Sequence, residues 1–328
     1  MRSTSMIIVG VIVGAILGWF LLASTAVPQG QRGRRAFEPV ELKHFTYKLE
    51  KFEAPSLEDG QGEYGVYLPA GYDESEAVYP LILWLHGMNE DASRFHDGGG
   101  AKVLEQLRAD DQIPELILVA PSAPRRTIYA DGEAAGNVEK YILEDLMTHL
   151  ERTYRISKKR RQRALMGVSM GGLGALRIAL HEPMRFGTVA VHSAAAFPPD
   201  PSELSAEARE RVQRTIQWMG LGELLGNPID AEKWARYIPA AMAKTLKPED
   251  LHALRIYFDA GTADRYGFGP PNEELHRLLE ARGIEHEFTL VEGGGHSWGS
   301  GTLQTRLVHS LKFAMRAPAK PPPETQKG

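Results

Sequence analysis

The stretch "RALMGVSMGGLGAL", residues 163–176, decides the fold, because it places four glycines around one serine. An apolar run precedes Ser169 and a run of helix-forming residues follows it. Each glycine inside a helix costs about 0.5–1 kcal/mol relative to alanine. The presence of several glycines despite this cost indicates that the backbone near Ser169 needs the space that a side chain would fill. The pattern Gly167-x-Ser169-x-Gly171 between a strand and a helix is typical of a sharp turn that exposes a nucleophilic serine. The alternative is a glycine-lined helix that packs closely on a sheet.

Strand and helix patterns alternate on both sides of this stretch. Uninterrupted apolar runs are typical of strands buried on both faces, and they are separated by amphipathic segments with helical spacing. The strand patterns are "YPLILWLHG" (79–87), "ELILVAP" (115–121), "GTVAVHSAA" (187–195), "LRIYFDAG" (254–261) and "HEFTLVEGGG" (286–295). Strands interleaved with helices of ten or more residues predict an α/β fold: a mostly parallel, doubly wound sheet with helices on both faces.

The alternation stops over residues 194–251, which contain helical patterns and no convincing strand. We interpret this segment as an insertion of helices within a domain that spans residues 41–316. Residues 28–40 are polar and predict a linker, and the Pro-rich residues 317–328 predict a disordered tail.

Residues 1–27 predict a transmembrane anchor or a signal peptide. Met6–Val27 is a run of 22 residues without a charge, and about 20 are enough to cross a bilayer. The run is longer than the apolar core of most signal peptides, which favours the anchor. Gly10, Gly14 and Gly18 repeat every four residues and form a small-residue face that could pair two helices into a homodimer. Arginines after the run favour a cytoplasmic location of the domain that follows. A short basic start before a long apolar run instead favours export. We expect a membrane-anchored or exported protein, on the periplasmic or extracellular face of a bacterial cell.

Composition excludes several kinds of chemistry. The formal net charge is −4 and the chain contains no cysteine. The charge gives no reason to expect a nucleic acid as partner, and the lack of cysteine excludes disulfides, thiolate catalysis and Cys-based zinc sites. No motif for a cofactor or a metal is present, so we expect neither.

A serine nucleophile needs a base, and the candidates are the histidines that follow strands. His296 follows the last strand pattern in a glycine-rich loop and lies C-terminal to Ser169, as the order Ser, acid, His requires. His192 also ends a strand but precedes any plausible acid. His86 precedes a turn glycine, and we expect it to brace that loop.

The acid should lie between Ser169 and His296, after another strand. "RIYFDAGTADRY" offers Asp259 and Asp264, and the latter has more reach because it lies in the loop beyond the strand. We therefore predict Asp264 as the acid and Asp259 as a structural residue. The oxyanion needs two backbone N–H donors, and we predict those of Met170, which follows the nucleophile, and Met88, in the loop after an earlier strand.

The segments "VYLPAGYD", "YPLILWLHG", "RALMGVSMGGLGAL", "DAGTADRY" and "GGGHSW" resemble, in their order and spacing, the "putative esterase" family of α/β-hydrolases. This family includes esterase D-type enzymes, feruloyl and siderophore esterases and mycolyltransferases. The resemblance implies the α/β-hydrolase fold, the triad of Ser169, Asp264 and His296, the oxyanion donors Met88 and Met170, and a cap at 194–251. It does not choose a substrate.

We therefore predict a serine carboxylester hydrolase that acts through an acyl-enzyme on a small or aromatic acyl ester, without metal or cofactor. The alternatives are an acyltransferase or a peptidase of the same fold and, from another class, a membrane-tethered non-catalytic binding protein. Aromatic residues that could hold an aromatic ester are Trp218, Trp234, Tyr266 and Trp298, although aromatic residues in a cap are more often part of the core.

Overall fold

The computed structural model describes residues 40–124, 126–132, 136–251, 253–296, 298 and 302–316. The predicted N-terminal anchor, the glycines at positions 10, 14 and 18, nearly all of the predicted linker and the predicted tail lie outside these residues. Among the helices that the structure describes, none combines the length and the apolar character that a membrane span requires.

The strands of the described chain form one large sheet and one small ribbon. Their bounds are β1 (Phe45–Glu53), β2 (Gln61–Pro69), β3 (Leu81–Leu85), β4 (Ile117–Pro121), β5 (Asp131–Gly132), β6 (Gly136–Asn137), β7 (Arg163–Val168), β8 (Thr188–His192), β9 (Arg255–Gly261) and β10 (Glu287–Val291). The large sheet has the order β1-β2-β4-β3-β7-β8-β9-β10, and β5 pairs with β6. β1, β2 and β4 pair in antiparallel fashion, and every pairing from β4 to β10 is parallel.

Helices connect the parallel strands. Their bounds are α1 (Arg94–Asp97), α2 (Gly100–Ala109), α3 (the successive segments Val138–Lys140, Tyr141–Leu146 and Met147–Thr153, of which the middle one is π-helical), α4 (Met170–His181), α5 (Ala206–Trp218), α6 (Gly222–Leu225), α7 (Ala231–Tyr237), α8 (Pro239–Ala243), α9 (Pro248–Leu251), α10 (Gly269–Ala281) and α11 (Thr302–Met315). Five of these helices, α5 to α9, lie between β8 and β9, where the sequence predicts a cap.

The apolar strand patterns are explained by a core on each face of the sheet. In β3, Leu81, Leu83 and Leu85 join one buried cluster, whereas Ile82 and Trp84 join the other. Successive side chains of a strand point to opposite faces, so a strand covered on both sides needs apolar residues at every position. The predicted fold class, a mostly parallel sheet with helices on both faces, is therefore confirmed.

The sequence does not predict the hairpin of β1 and β2. β1 is an edge strand, and most of its residues are exposed or partly exposed. Because an edge strand with one solvated side carries charged residues such as Lys48 and Lys51, its pattern is not that of a buried strand.

Candidate active site

Ser169 lies on a strained turn between β7 and α4. Its φ is 58° and its ψ is −118°, a conformation that costs a non-glycine residue about 1–3 kcal/mol. The turn is held from the neighbouring strand, since the Ser169 N–H donates to the His192 carbonyl at 2.9 Å and the Ser169 carbonyl accepts from the Ala195 N–H at 3.1 Å. The surrounding structure thus fixes the serine at the carboxyl end of the parallel strands, where sites of such sheets lie.

The glycines around Ser169 have a packing reason. A Cβ at position 171 would lie 2.1 Å from the Leu85 carbonyl oxygen, and one at position 167 would lie 2.5 Å from the Gly171 carbonyl oxygen. A Cβ at position 174 would lie 2.8 Å from the ring of Tyr129. The glycines therefore let β7 and α4 approach β3 closely enough to form the turn.

The structure brings Ser169, His296 and Asp264 together in one chain of hydrogen bonds. The His296 Nε2 lies 3.0 Å from the Ser169 Oγ, and the His296 Nδ1 lies 2.8 Å from the Asp264 Oδ2. A carboxylate only accepts hydrogen bonds, so Nδ1 carries the proton and Nε2 is free to accept one from the serine. His296 and Asp264 are buried, with 6% and 3% of their surface exposed.

Asp264 is oriented by its own loop. Its second oxygen, Oδ1, accepts the Tyr266 backbone N–H at 2.8 Å. One carboxylate oxygen is thus used to hold the loop after β9, and the other holds the imidazole.

The loop after β3 passes directly beside the serine. A Cβ at position 87 would lie 3.7 Å from the Ser169 Cβ. The Gly87 N–H donates to the Glu90 Oε2 at 2.8 Å, and the next N–H along the loop is that of Met88. Met170 is the first residue of α4, and N–H groups in the first turn of a helix have no acceptor within the helix. Met170 therefore directly follows the serine in the chain, and the loop that contains Met88 passes beside it at Gly87.

His86 braces this loop, as predicted from its position before a turn glycine. Its Nδ1 donates to the Gly87 carbonyl at 2.8 Å, and its Nε2 accepts the Ala123 N–H at 3.0 Å. Burial lowers the pKa of His86, which favours the neutral ring that both hydrogen bonds require. Since both ring nitrogens are occupied, His86 is not available as a base.

His192 and Asp259 form a second, fully buried network that sequence reasoning missed. The two residues are register partners on β8 and β9, and the His192 Nδ1 lies 2.8 Å from the Asp259 Oδ2. The His192 Nε2 lies 2.9 Å from the Ser310 Oγ, and Arg306 donates to the Asp259 Oδ1 at 2.8 Å. The predicted structural role of Asp259 agrees with this position. The available signal was two polar residues inside otherwise apolar strands.

The charge of Asp259 is stabilised despite complete burial. Burial alone would raise the pKa of its carboxyl group, but the contacts with His192, Arg306 and Tyr257 outweigh burial and lower that pKa. The Tyr257 hydroxyl donates to the Asp259 Oδ2 at 2.8 Å. Asp259 is therefore a buried anion on β9 that ties α11 to the sheet.

Of the four aromatic residues that the sequence suggests for an aromatic ester, only Tyr266 lies at the candidate site. Its ring centre is 4.5 Å from that of His296, at an interplanar angle of 76°, and 42% of its surface is exposed. Trp234 and Trp298 are buried in the core, and Trp218 is exposed beneath the Arg126 guanidinium. Phe268, which the sequence did not single out, lies 5.4 Å from the His296 ring.

The described residues include no group of three or more His, Asp or Glu side chains placed to hold a metal ion.

Comparisons with known proteins relate the chain to esterases. The family described as "Putative esterase" matches residues 59–313. The chain is 26% identical over 143 residues to an endo-1,4-beta-xylanase/feruloyl esterase of Xylanibacter ruminicola, covering 41% of this chain and 20% of that protein. It is also 26% identical over 249 residues to the protein named Esterase Rv1288 of Mycobacterium tuberculosis, covering 70% of this chain and 51% of that protein. The chain thus spans between a fifth and about half of the length of these curated relatives.

A solved structure of a ferulic acid esterase superposes with a TM-score of 0.67 at 21% identity, covering 83% of this chain and 98% of that one. At this identity the likeness shows that the two chains share a fold. The family match and the superposition together confirm the resemblance to α/β-hydrolase esterases.

Proposed function

Because the chain belongs to the "Putative esterase" family, we propose that it is a serine carboxylester hydrolase with Ser169, His296 and Asp264 as its catalytic triad. The observation that carries the proposal is the chain of two hydrogen bonds from Asp264 through His296 to a serine on a strained turn. A structural serine has no need of that conformation, whereas a nucleophile must be exposed to its substrate.

In the first half of the reaction, the Ser169 Oγ attacks the ester carbonyl carbon and the His296 Nε2 takes the hydroxyl proton. The Asp264 carboxylate stabilises the resulting imidazolium and keeps its orientation. The negative charge on the former carbonyl oxygen is held by the N–H groups of Met88 and Met170. The tetrahedral intermediate then collapses, the proton on Nε2 passes to the leaving alcohol, and an acyl-enzyme remains.

The second half of the reaction repeats these steps with water. His296 takes a proton from the water as its oxygen attacks the acyl carbon, and the proton then returns to the Ser169 Oγ as the acid leaves. The balance of the two halves is one ester and one water consumed, and one alcohol and one acid released. No redox partner and no metal is needed.

For the substrate, we propose an ester with an aromatic acyl group. Support comes from Tyr266 and Phe268, whose rings are stacked at 5.9 Å and lie next to the His296 imidazole. Aromatic rings bind one another in stacked or edge-on arrangements worth about 0.5–1.5 kcal/mol beyond their buried area. The relatives described as feruloyl esterases are named for an aromatic acid. Esters with small acyl groups fit the same chemistry. Hydrolysis rates for a panel of esters that vary in their acyl group rank the aromatic esters against the small ones.

For location, we propose that the uncharged run of residues 6–27 attaches the protein to a membrane or exports it. Support comes from the sequence alone. Protease treatment of intact cells, with and without a permeabilised outer barrier, should degrade the catalytic domain if the domain lies outside the cytoplasm. Protection of the domain in both conditions would contradict export.

The nucleophile is tested with Ser169→Ala and a matched control, Ser310→Ala. Both serines are hydrogen-bonded to a histidine that contacts an aspartate, but Ser310 is fully buried. We expect Ser169→Ala to abolish hydrolysis of p-nitrophenyl acetate and labelling by a fluorophosphonate probe, and Ser310→Ala to retain both. Labelling that persists in Ser169→Ala would contradict the assignment of the nucleophile.

Acyl transfer is tested in the same assay by adding an alcohol as acceptor. With a hydrolase, the fraction of product that is free acid stays the same when the acceptor is added. With an acyltransferase, most of the acyl group appears as an ester of the acceptor.

A further inference from the structure

Arg306 is a buried cation on α11 that contacts both the sheet and the loop of His296. Its Nη1 donates to the Asp259 Oδ1 at 2.8 Å and to the Ser193 Oγ at 3.1 Å. Its Nη2 donates to the main-chain carbonyls of Gly295 and His296, each at 3.3 Å. Only 5% of the residue is exposed.

We propose that Arg306 is a positioning residue, which anchors the main chain of His296 to Asp259 and so fixes the imidazole between Ser169 and Asp264. This inference rests on the proposed function, in which His296 is the base. Asp264 and Asp259 then act on the same histidine: the first holds its ring, and the second, through Arg306, holds its backbone.

The His296 loop needs such an anchor because of its sequence. Three glycines, Gly293–Gly295, precede the histidine, and glycine allows the backbone more conformations than any other residue. Upstream, the Gly294 carbonyl accepts the Ala263 N–H at 3.0 Å. At the histidine itself, the guanidinium of Arg306 holds the carbonyl, and a planar fork of donors suits two carbonyls and a carboxylate at once.

The anchor point is rigid. Asp259 lies within β9, is fully buried, and is also bound by His192 and Tyr257. A hydrogen bond between ionised partners is about twice as strong as one between neutral groups. Movement of the His296 backbone is therefore limited by a fixed and buried point within β9 of the sheet.

The competing explanation is that Arg306 only attaches α11 to the sheet. Arg255 provides a matched control, because it also joins α11 to the sheet but at the other end of the helix. It donates to the carbonyls of Phe313 and Ala314 at 3.0 and 3.1 Å, and to the Thr188 Oγ1 at 2.6 Å. Arg255 is the first residue of β9, far along the strand from the carboxyl end that carries the site.

The experiment compares Arg306→Met, Arg306→Lys and Arg255→Met in the full chain. For each variant, kcat and KM for p-nitrophenyl acetate, the rate of fluorophosphonate labelling, and Tm are measured. We expect Arg306→Met to lower kcat and the labelling rate about 10- to 100-fold with KM unchanged, since a displacement of about 1 Å at a reacting group costs this much. Arg255→Met should lower Tm and leave kcat unchanged.

Arg306→Lys separates the two roles and remains informative if Arg306→Met does not fold. A lysine keeps the charge beside Asp259 but lacks the fork that reaches both carbonyls, so we expect Tm to recover while kcat stays low. An unchanged kcat in Arg306→Lys would overturn the inference, as would equal losses of kcat in Arg306→Met and Arg255→Met. His296→Ala tests the proposed function separately: if that variant retains turnover, His296 is not the base. If it is inactive while Arg306→Met is fully active, only the positioning role fails.

Discussion

Replacing Asp264 by asparagine should trap His296 in the wrong tautomer. The Asp264 Oδ1 accepts the Tyr266 N–H at 2.8 Å. In the unaltered protein the His296 Nδ1 lies 2.8 Å from the Asp264 Oδ2. In Asp264→Asn the contact with Tyr266 keeps the amide oxygen in place and turns the NH₂ group toward Nδ1. A donor at that position requires an unprotonated Nδ1, so the proton moves to Nε2, which faces Ser169.

A histidine with its proton on Nε2 does not accept the serine proton. The corresponding change in a serine protease lowers kcat by about 10⁴, which is about 5 kcal/mol of transition-state stabilisation. We expect a loss of this size for Asp264→Asn, with a small change in Tm because the side chain keeps its volume and its bond to Tyr266.

Asp259→Asn is the matched control, since Asp259 lies within β9 and Asp264 in the loop that follows the same strand. It removes the charge opposite Arg306, and an unpaired buried charge destabilises a protein by about 3–5 kcal/mol. We therefore expect the order of the two variants to differ between assays: Asp264→Asn has the lower kcat, and Asp259→Asn has the lower Tm.

The assay is steady-state hydrolysis of p-nitrophenyl acetate together with thermal unfolding of each variant. A loss of tenfold or less in Asp264→Asn would refute the tautomer argument. A lower kcat in Asp259→Asn than in Asp264→Asn would exchange the roles of the two acids.

Three further predictions concern the turn, the brace and the aromatic contact. Gly171→Ala places a Cβ 2.1 Å from the Leu85 carbonyl oxygen and should lower the free energy of unfolding by about 1–3 kcal/mol or more. The control Gly222→Ala, whose Cβ would have no atom closer than 4.0 Å, should not lower it. Equal urea midpoints of the two variants would contradict this prediction. Because burial lowers the pKa of His86 below its usual 6.5, the unfolded chain binds a proton that the folded chain does not. His86 therefore does not lower the free energy of unfolding above pH 6.5. Below that pH, its protonation in the unfolded chain lowers the free energy of unfolding by up to about 1.4 kcal/mol per pH unit. Urea unfolding between pH 7 and 5 should show a shallower decline for His86→Gln, and parallel declines would exclude this role. Tyr266→Ala should raise KM about 2- to 10-fold for methyl cinnamate but not for methyl butyrate; equal effects on both esters would argue against an aromatic acyl site.

Much of the fold could be predicted because the inner parallel strands β3, β4, β7, β8 and β9 are buried on both faces. A continuous apolar run such as that of β3 has few alternatives, and its length separates it from a helix. β1 could not be predicted in this way, since one edge of the strand faces solvent and its residues alternate irregularly. The π-helical turn inside α3 has no sequence signal either, because the apolar stripe of the segment fits an ordinary helix.

The sequence by itself determined which residues lie at strand ends, and in which order. Parallel strands end at one edge of a sheet, so Ser169, Asp264 and His296 were candidates for one site before any distance was known. Residue type and chain order also assigned His86 to its loop.

Only the tertiary structure decided which of these residues meet and what holds them. The contact of Arg306 with Asp259 and with the His296 carbonyl joins three separate parts of the chain. The structure also decided that Tyr266, rather than Trp234 or Trp298, lies beside the His296 imidazole. Such contacts depend on strand order and on helix docking, and a local pattern of residues contains neither. The physical reason is that a periodic pattern records which face of an element is buried, but not which partner it is buried against.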